Sequence, residues 1–415
     1  MPAQASLLVR LHRSTADSLG GLPEAFWWLW VSTLVNRLGG VVSFLALYLT
    51  AERGFSASYA GLVASLIGLG SAIAALVGGV LADRIGRRPT LLAVQVLTAL
   101  TTVVLGSADG RTAIATAAFL VGLTGYASRP AISAMIADLV PGPDRARAFA
   151  LNYWAINIGF GVSAALAGLI AARGYRPLFL VDALTTLLCA AVVFVKVPET
   201  RPTTPPLPAA APTASGGVGP GLATVFRDRR FMALTTLTFA FGLMLQQGNT
   251  TLAVDMGRAG LTSVAYGAVI GINGLLVVLL QIPVTRLTRD QHRGTVLLVS
   301  ALLTGAGFGL TAFAGSSAPR YALTVGVWTL GEMVQAPASM SLVSELSATH
   351  ARGRYQGVNS FAWSAASFLG PAAGGLLLDH AGREAVWGCC ALLGLLAAAG
   401  YLALGRRMDA PPGQA

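Results

Sequence analysis

Apolar residues run through this chain in long unbroken stretches, separated by short polar and glycine-rich punctuation, with neither the alternation of a half-buried strand nor the stripe of a surface helix. About twenty consecutive apolar residues suffice for a helix to cross a bilayer. Such runs lie near 25–50, 57–82, 89–107, 112–138, 148–172 and 177–197, and again near 231–254, 262–285, 294–314, 320–346, 355–378 and 384–405. The pattern predicts twelve spanning helices in two groups of six. Between the groups lies a Pro-rich cytoplasmic linker, residues 198–230: its stretch 198–221 holds seven of the 20 prolines, a composition expected of an extended segment, and the basic run Arg227 to Arg230 then leads into the next span. Residues 1–24 and 406–415 are expected to be tails, which leaves bundles at 25–197 and 231–405. The N-terminal stretch lacks an apolar core followed by a small-residue cleavage site, so it does not read as a signal peptide.

Composition agrees with a polytopic membrane protein: 54% of residues are hydrophobic and 11% charged, against about 25% charged in a typical soluble chain. A net charge of +11 would suggest nucleic acid if the cations formed a patch. They fall instead singly in the gaps between apolar runs, so no nucleic-acid partner is expected. If both ends of the chain are cytoplasmic, 19 of the 28 Arg and Lys lie inside, seven outside, and Arg37 and Arg129 lie within spans. That bias predicts a cell-membrane protein with both termini in the cytoplasm. Cys189, Cys389 and Cys390 lie inside apolar runs without metal-ligand spacing, so no metal is expected.

The two halves repeat. At an offset of 207, Pro130-Ala131 matches Pro337-Ala338, Arg145 and Arg147 match Arg352 and Arg354, Asn152 matches Asn359, and Asp138 pairs with Glu345. Near Arg88 the offset is 205, pairing Arg84 with Arg289 and Arg88 with Arg293. Matched positions fall in spans of the same direction, as for two bundles related by an axis along the membrane normal.

One turn between spans is dense in charge: Gly79-Val80-Leu81-Ala82-Asp83-Arg84-Ile85-Gly86-Arg87-Arg88. Gly79 and Gly86 permit close helix approach and a sharp reversal. The pattern G-x-L-A-D-R-x-G-R-R resembles the signature loop of the major facilitator superfamily of secondary transporters, and the internal repeat extends the resemblance over nearly the whole chain. The resemblance implies an all-α integral membrane fold, twelve transmembrane helices in two parallel-repeat six-helix bundles. It also implies that Asp83 latches against the start of the eleventh helix, near Tyr355, with Arg84, Arg87 and Arg88 as further contacts between bundles, all broken when the cytoplasmic side opens. The second half keeps the cations but has Val284 and Thr288 at the places of Gly79 and Asp83.

Ionisable groups at mid-depth are costly and mark sites by default. Arg37, beside Asn36, lies near the middle of the first span and faces either a central cavity or a fixed ion-pair partner. Glu332, in the tenth span, is the first choice for a protonation switch that gains and loses an Arg partner, the alternative being a permanently hydrogen-bonded Glu. Asp182 is either a site residue or structural, and Arg129 lines the inner cavity, pairs with Asp138 or reaches the headgroups. Gln246 and Asn249 of the seventh span and Asn273 of the eighth add uncharged candidates for substrate contact, or for helix-to-helix hydrogen bonds.

No nucleotide loop, ordered triad or metal cluster is present, so an enzyme is not expected. The reading is a monomeric, cofactor-free transporter of a small molecule by alternating access, coupled to protons and exporting a drug-like or amphipathic compound. Drug-proton antiporters of this superfamily often carry G-x-x-x-G-P-x-x-G-G in the fifth helix. Here Ala164 takes the proline place, and the better version is Gly370-Pro371-Ala372-Ala373-Gly374-Gly375 in the eleventh. The arginine those antiporters carry early in the fourth helix is missing from Thr116 to Gly122. A proton-coupled uptake symporter for a nutrient is the second reading, and a transport-inactive sensor or scaffold the third.

Overall fold

The structure is a computed structural model in which residues 21–201, 222–288, 291–347 and 352–409 are described. Most of the N-terminal tail, residues 202–221 of the linker and residues 410–415 lie outside the described residues. Twelve long helical segments follow one another. They are α1 (Glu24–Asn36, resuming as Val41–Leu47 and a π turn Tyr48–Glu52), α2 (Ala57–Ile85), α3 (Arg87–Ser107), α4 (Arg111–Leu139), α5 (Arg145–Ala171) and α6 (Arg176–Lys196). The second six are α7 (Arg229–Asn249, resuming as Thr251–Arg258), α8 (Ser263–Thr288), α9 (Arg293–Leu310), α10 (Ala318–Leu346), α11 (Arg352–His380) and α12 (Gly382–Asp409).

Among the described residues, nine helices are long and apolar enough to cross a membrane by length and composition. The three spans outside that group, α4, α7 and α10, have the length but fall below that apolarity. They carry Thr124 and Arg129, Gln246 to Asn249, and Thr329 to Gln335 respectively. A helix that turns one polar side to a cavity loses mean hydropathy without ceasing to span. Just before α7, Leu222–Arg227 is helical, and the Asp228 side chain caps α7 by accepting from the Arg230 and Phe231 N–H groups at 3.1 and 3.0 Å.

All interhelical loops fall on two faces. The Gly79–Arg88 turn and both described chain ends share one, called here the basic face. On the opposite face a single apolar core runs through both halves, joining Phe44, Tyr48 and Leu105 to Met244, Tyr266 and Trp387. On the basic face the core splits in two. One cluster, with Phe26, Leu91 and Met135, belongs to the first half, and the other, with Phe231, Leu297 and Tyr401, to the second. The halves therefore share one core on one side of the membrane and keep separate cores on the other.

Two helix pairs make the shared seam, α2 with α11 and α5 with α8. Both are backbone-to-backbone contacts made possible by missing side chains. A Cβ on Gly61 would come 2.2 Å from the Pro371 carbonyl oxygen, one on Gly68 2.4 Å from that of Ser367, and one on Gly267 2.4 Å from that of Ala164. In a bilayer, where burial of apolar surface does not drive helices together, such close approach is the main source of association.

Candidate substrate cavity and gates

Below the seam the halves keep separate cores, and α1, α4, α5, α8 and α10 carry polar groups at mid-depth, the candidates for lining a cavity between them. The cavity begins where α1 breaks. Arg37 closes the first segment, its N–H donating to Leu34 O at 3.1 Å, and the chain resumes at Val41 after Gly39 and Gly40. Gly40 has φ +75°, which only glycine adopts freely. No side chain fits at Gly39, where a Cβ would overlap the Asp182 carboxylate. Asp182 accepts from the Val41 N–H at 3.3 Å and so caps the second segment. α7 is interrupted as well, at Thr250 just after Asn249, but nearer the opposite face and not at the place that corresponds to the α1 break.

Arg37 lays its stem on α5, where a Cβ on Gly159 would come 2.4 Å from the Arg37 Cβ. Its guanidinium is within electrostatic reach of Arg129, Tyr126 and Asp182, and makes no hydrogen bond or ion pair among the described residues. The fixed ion-pair alternative for Arg37 is thus not formed. Arg129 is exposed and stacks on Tyr126, 4.3 Å from the ring centroid. It does not pair with Asp138, because that carboxylate is taken by Arg87 at 2.8 Å and by the Thr200 hydroxyl at 3.1 Å.

Across the cavity, Asn273 of α8 donates its amide to Glu332 at 2.8 Å and to the Thr329 hydroxyl at 3.1 Å. Glu332 has no cationic partner among the described residues, so the Arg expected to hold it is absent in this state. Tyr153 of α5, which sequence reasoning did not single out, is exposed and within electrostatic reach of Glu332. Asn249 is exposed at the α7 break, and Asn36 is half-buried. Gln246 packs its stem on Gly370, while the neighbouring Gln247 is buried and donates to the Leu243 and Gly370 carbonyls at 3.0 Å each.

The signature turn differs from expectation in three ways. The inter-half contacts expected of Arg84, Arg87 and Arg88 are not made in this state. Arg87 pairs with Asp138, Arg88 donates to the Phe194 carbonyl and lies 5.3 Å from the Phe194 ring centroid, and the Arg84 carbonyl accepts from Arg201 at 2.8 Å. The turn is satisfied within its own half. Secondly, Asp83 is exposed and forms no hydrogen bond or ion pair among the described residues, while Tyr355 at the start of α11 donates to Asp228 at 3.2 Å. Thirdly, the close helix approach expected of Gly79 falls to Gly78, where a Cβ would come 2.5 Å from Ala127 O. Gly79 has only Pro130 at 4.0 Å. Gly86 performs the expected reversal, with φ +107°.

Glu199, at the start of the linker, caps α3 by accepting from the Arg87 and Arg88 N–H groups at 3.1 Å each. Desolvation opposes its charge, but N–H bonds from Arg201, Arg87, Arg88 and Thr200 win and hold the carboxyl below its ordinary range.

On the opposite face the decisive residue was not anticipated. Asp379, in the last turn of α11, accepts from the Ala57 N–H at 3.2 Å and from the Ser58 N–H and hydroxyl at 2.6 Å each. It thereby caps the N-terminus of α2 across the seam, and it also pairs with Arg258 of α7. Tyr266 donates to the Ser43 carbonyl at 3.0 Å, Ser263 to Gly168 O at 3.2 Å, and the Ala372 N–H to Ser65 at 3.0 Å. These bonds between halves, among the described residues, all lie in the half of the membrane away from the basic face.

Two helical bundles sealed at one face, parted at the other and lined with polar groups between them define a membrane transporter. The profile of the Major Facilitator Superfamily matches residues 29–371 and 249–415, and the chain belongs to that family. Multidrug resistance protein MdtH of Cronobacter sakazakii is 26% identical over 94% of each chain. The uncharacterized MFS-type transporter YhjO of Bacillus subtilis is 25% identical over 85% of this chain and 86% of its own. Among solved structures, the nucleoside transporter NupG superposes with a TM-score of 0.76 at 13% identity, covering 94% of this chain and 100% of NupG. A POT family transporter superposes with a TM-score of 0.76 at 16% identity, covering 94% and 98%. The family and these relatives are transporters, so the chain is a multi-pass cell-membrane protein that moves a small molecule through the lipid bilayer.

Proposed function

We propose that this transporter exports a small amphipathic molecule in exchange for protons, as a monomer without a cofactor, and that the state described here is the one open to the cytoplasm. The bias of 19 cations to seven supports a cytoplasmic basic face. Names of relatives such as MdtH support export over uptake.

The observation that carries proton coupling is Glu332, a carboxylate in the cavity wall whose hydrogen-bond partner is the neutral Asn273 amide. A carboxyl held this way has no fixed counter-ion, so its charge must be answered by a proton or by a cationic group of the substrate. Competition between the two at one oxygen pair is antiport. Substrate added to everted, acid-loaded vesicles is expected to release protons from wild type. Glu332→Gln is expected to abolish that release while preserving substrate counterflow. Equal loss of both activities would remove Glu332 from the coupling step.

A further inference from the structure

The mid-depth charges are divided between the halves, Arg37 and Arg129 in the first and Glu332 in the second. Several cations near the helix ends have a carboxylate partner: Arg87 with Asp138 at 2.8 Å, Arg293 with Glu345 at 2.7 Å, and Arg383 with Asp255 at 3.0 Å. Arg37 and Arg129 do not. Each lies within a span, each acts electrostatically on the other, and neither forms an ion pair with a described carboxylate. Asp182, the nearest acid, is committed to the Val41 N–H at the α1 break. Arg129 stacks by its flat face on Tyr126, which leaves the in-plane N–H edge free, the edge by which a guanidinium holds a carboxylate in two parallel bonds.

Opposite this cationic pair stands Glu332, without a cation of its own among the described residues. α5 gives the separation. Arg37 rests on Gly159, and Gly274 of α8, beside the Asn273 that holds Glu332, packs on Gly161, two residues on and so on the other side of α5, which sets the two groups apart by about 10 Å, the width of one helix. We propose that the substrate is an amphipathic zwitterion, its carboxylate held by Arg37 and Arg129 and its ammonium by Glu332, with the two charges on the order of 10 Å apart. This deepens the export reading and rests on it, since the ammonium is the group that competes with the proton.

The test uses the full-length protein in nanodiscs and four probes on one biphenyl frame. These are 4′-(aminomethyl)biphenyl-4-carboxylic acid, its methyl ester, the analogous acid with methyl in place of aminomethyl, and the methyl ester of that acid. Binding is read from quenching of intrinsic tryptophan fluorescence. The zwitterion is expected to bind at least tenfold more tightly than any of the other three. Arg37→Gln and Arg129→Gln are each expected to erase the preference for the zwitterion over its ester while leaving ester binding unchanged, and Arg37→Lys to retain part of the preference. Glu332→Gln is expected to erase the preference for the zwitterion over the deaminated acid. Equal binding of all four probes, binding of none, or a uniform loss in the Arg variants overturns the proposal. A zwitterion preference that survives while vesicles show no proton release would overturn antiport and leave the substrate class standing.

Discussion

The two faces of this transporter solve the same problem in opposite ways. At the opposite face, an acid near the end of one long helix, Asp379 of α11, finds the N-terminus of its neighbour across the seam and ties α2 to α11 and α7. At the basic face, an acid in the equivalent place of the other helix, Asp83 of α2, is exposed and has no bonding partner among the described residues. There the matched carboxylates of the repeat, Asp138 and Glu345, each pair with an arginine of their own half, Arg87 and Arg293. The contrast suggests a pair of mutually exclusive helix caps. In each, the C-terminal acid of one helix answers the positive end of the other, on whichever face is closed.

The largest expected effect follows from breaking the seam itself. Gly68→Val places branched carbon where a Cβ already meets the Ser367 carbonyl at 2.4 Å, so the shared core cannot re-form. Transport should fall to background, and a cysteine introduced at Ser43 should become reactive from the opposite face. Asp379→Asn is milder. It keeps the shape but removes the charge that answers two N–H groups, a hydroxyl and Arg258, and hydrogen bonds to a charged group contribute about 1.5–3 kcal/mol each. Spin labels at Ala51→Cys and Ser316→Cys should show a longer distance for a population at least tenfold larger than in wild type. Asp83→Asn should act with the opposite sign. It has no bonded partner in the present state, so it should leave that state intact and enrich it, read as greater cysteine labelling from the basic face. Unchanged labelling would remove the inner cap.

The smallest effect concerns Glu199. Its carboxyl is held below the ordinary range in the folded chain, so the stabilisation is present above the unfolded pKa and is lost as pH falls through the folded one. The group is exposed, so solvent screening limits it. A capping interaction of this kind is worth about 0.5–1 kcal/mol. Melting temperatures of wild type and Glu199→Gln should differ by about 1 °C near neutral pH and converge on acidification. A constant gap would show that the carboxylate charge is not what caps α3.

Much of this architecture is legible in the sequence because a bilayer imposes one length and one polarity on every span. The run at 57–82 becomes Ala57–Ile85, and that at 355–378 becomes Arg352–His380. The differences are single turns at the ends, where the helices continue into the polar boundary. The repeat also points to the paired acids Asp138 and Glu345, though not to each holding an Arg from the preceding helix of its own half. What stays hidden depends on contacts between distant segments. The α1 break needs Asp182 from α6 as well as Gly39 and Gly40. Asp379 reads in sequence as a boundary residue, and only the approach of α2 reveals it as a cap. Tyr153 carries no signal in an apolar run, since an aromatic there is more often packing than lining.

The account's central claim is that the two faces open in strict alternation about the glycine seam. It is tested most directly by measuring two distances in one preparation by pulsed electron resonance. One pair, Val80→Cys with Gly357→Cys, straddles the basic mouth, where both positions are open. The other, Ala51→Cys with Ser316→Cys, straddles the sealed face. As pH is lowered or a transported zwitterion is added, one distance should lengthen in proportion as the other shortens. Populations in which both pairs are long, or in which one distance changes while the other stays fixed, would contradict it.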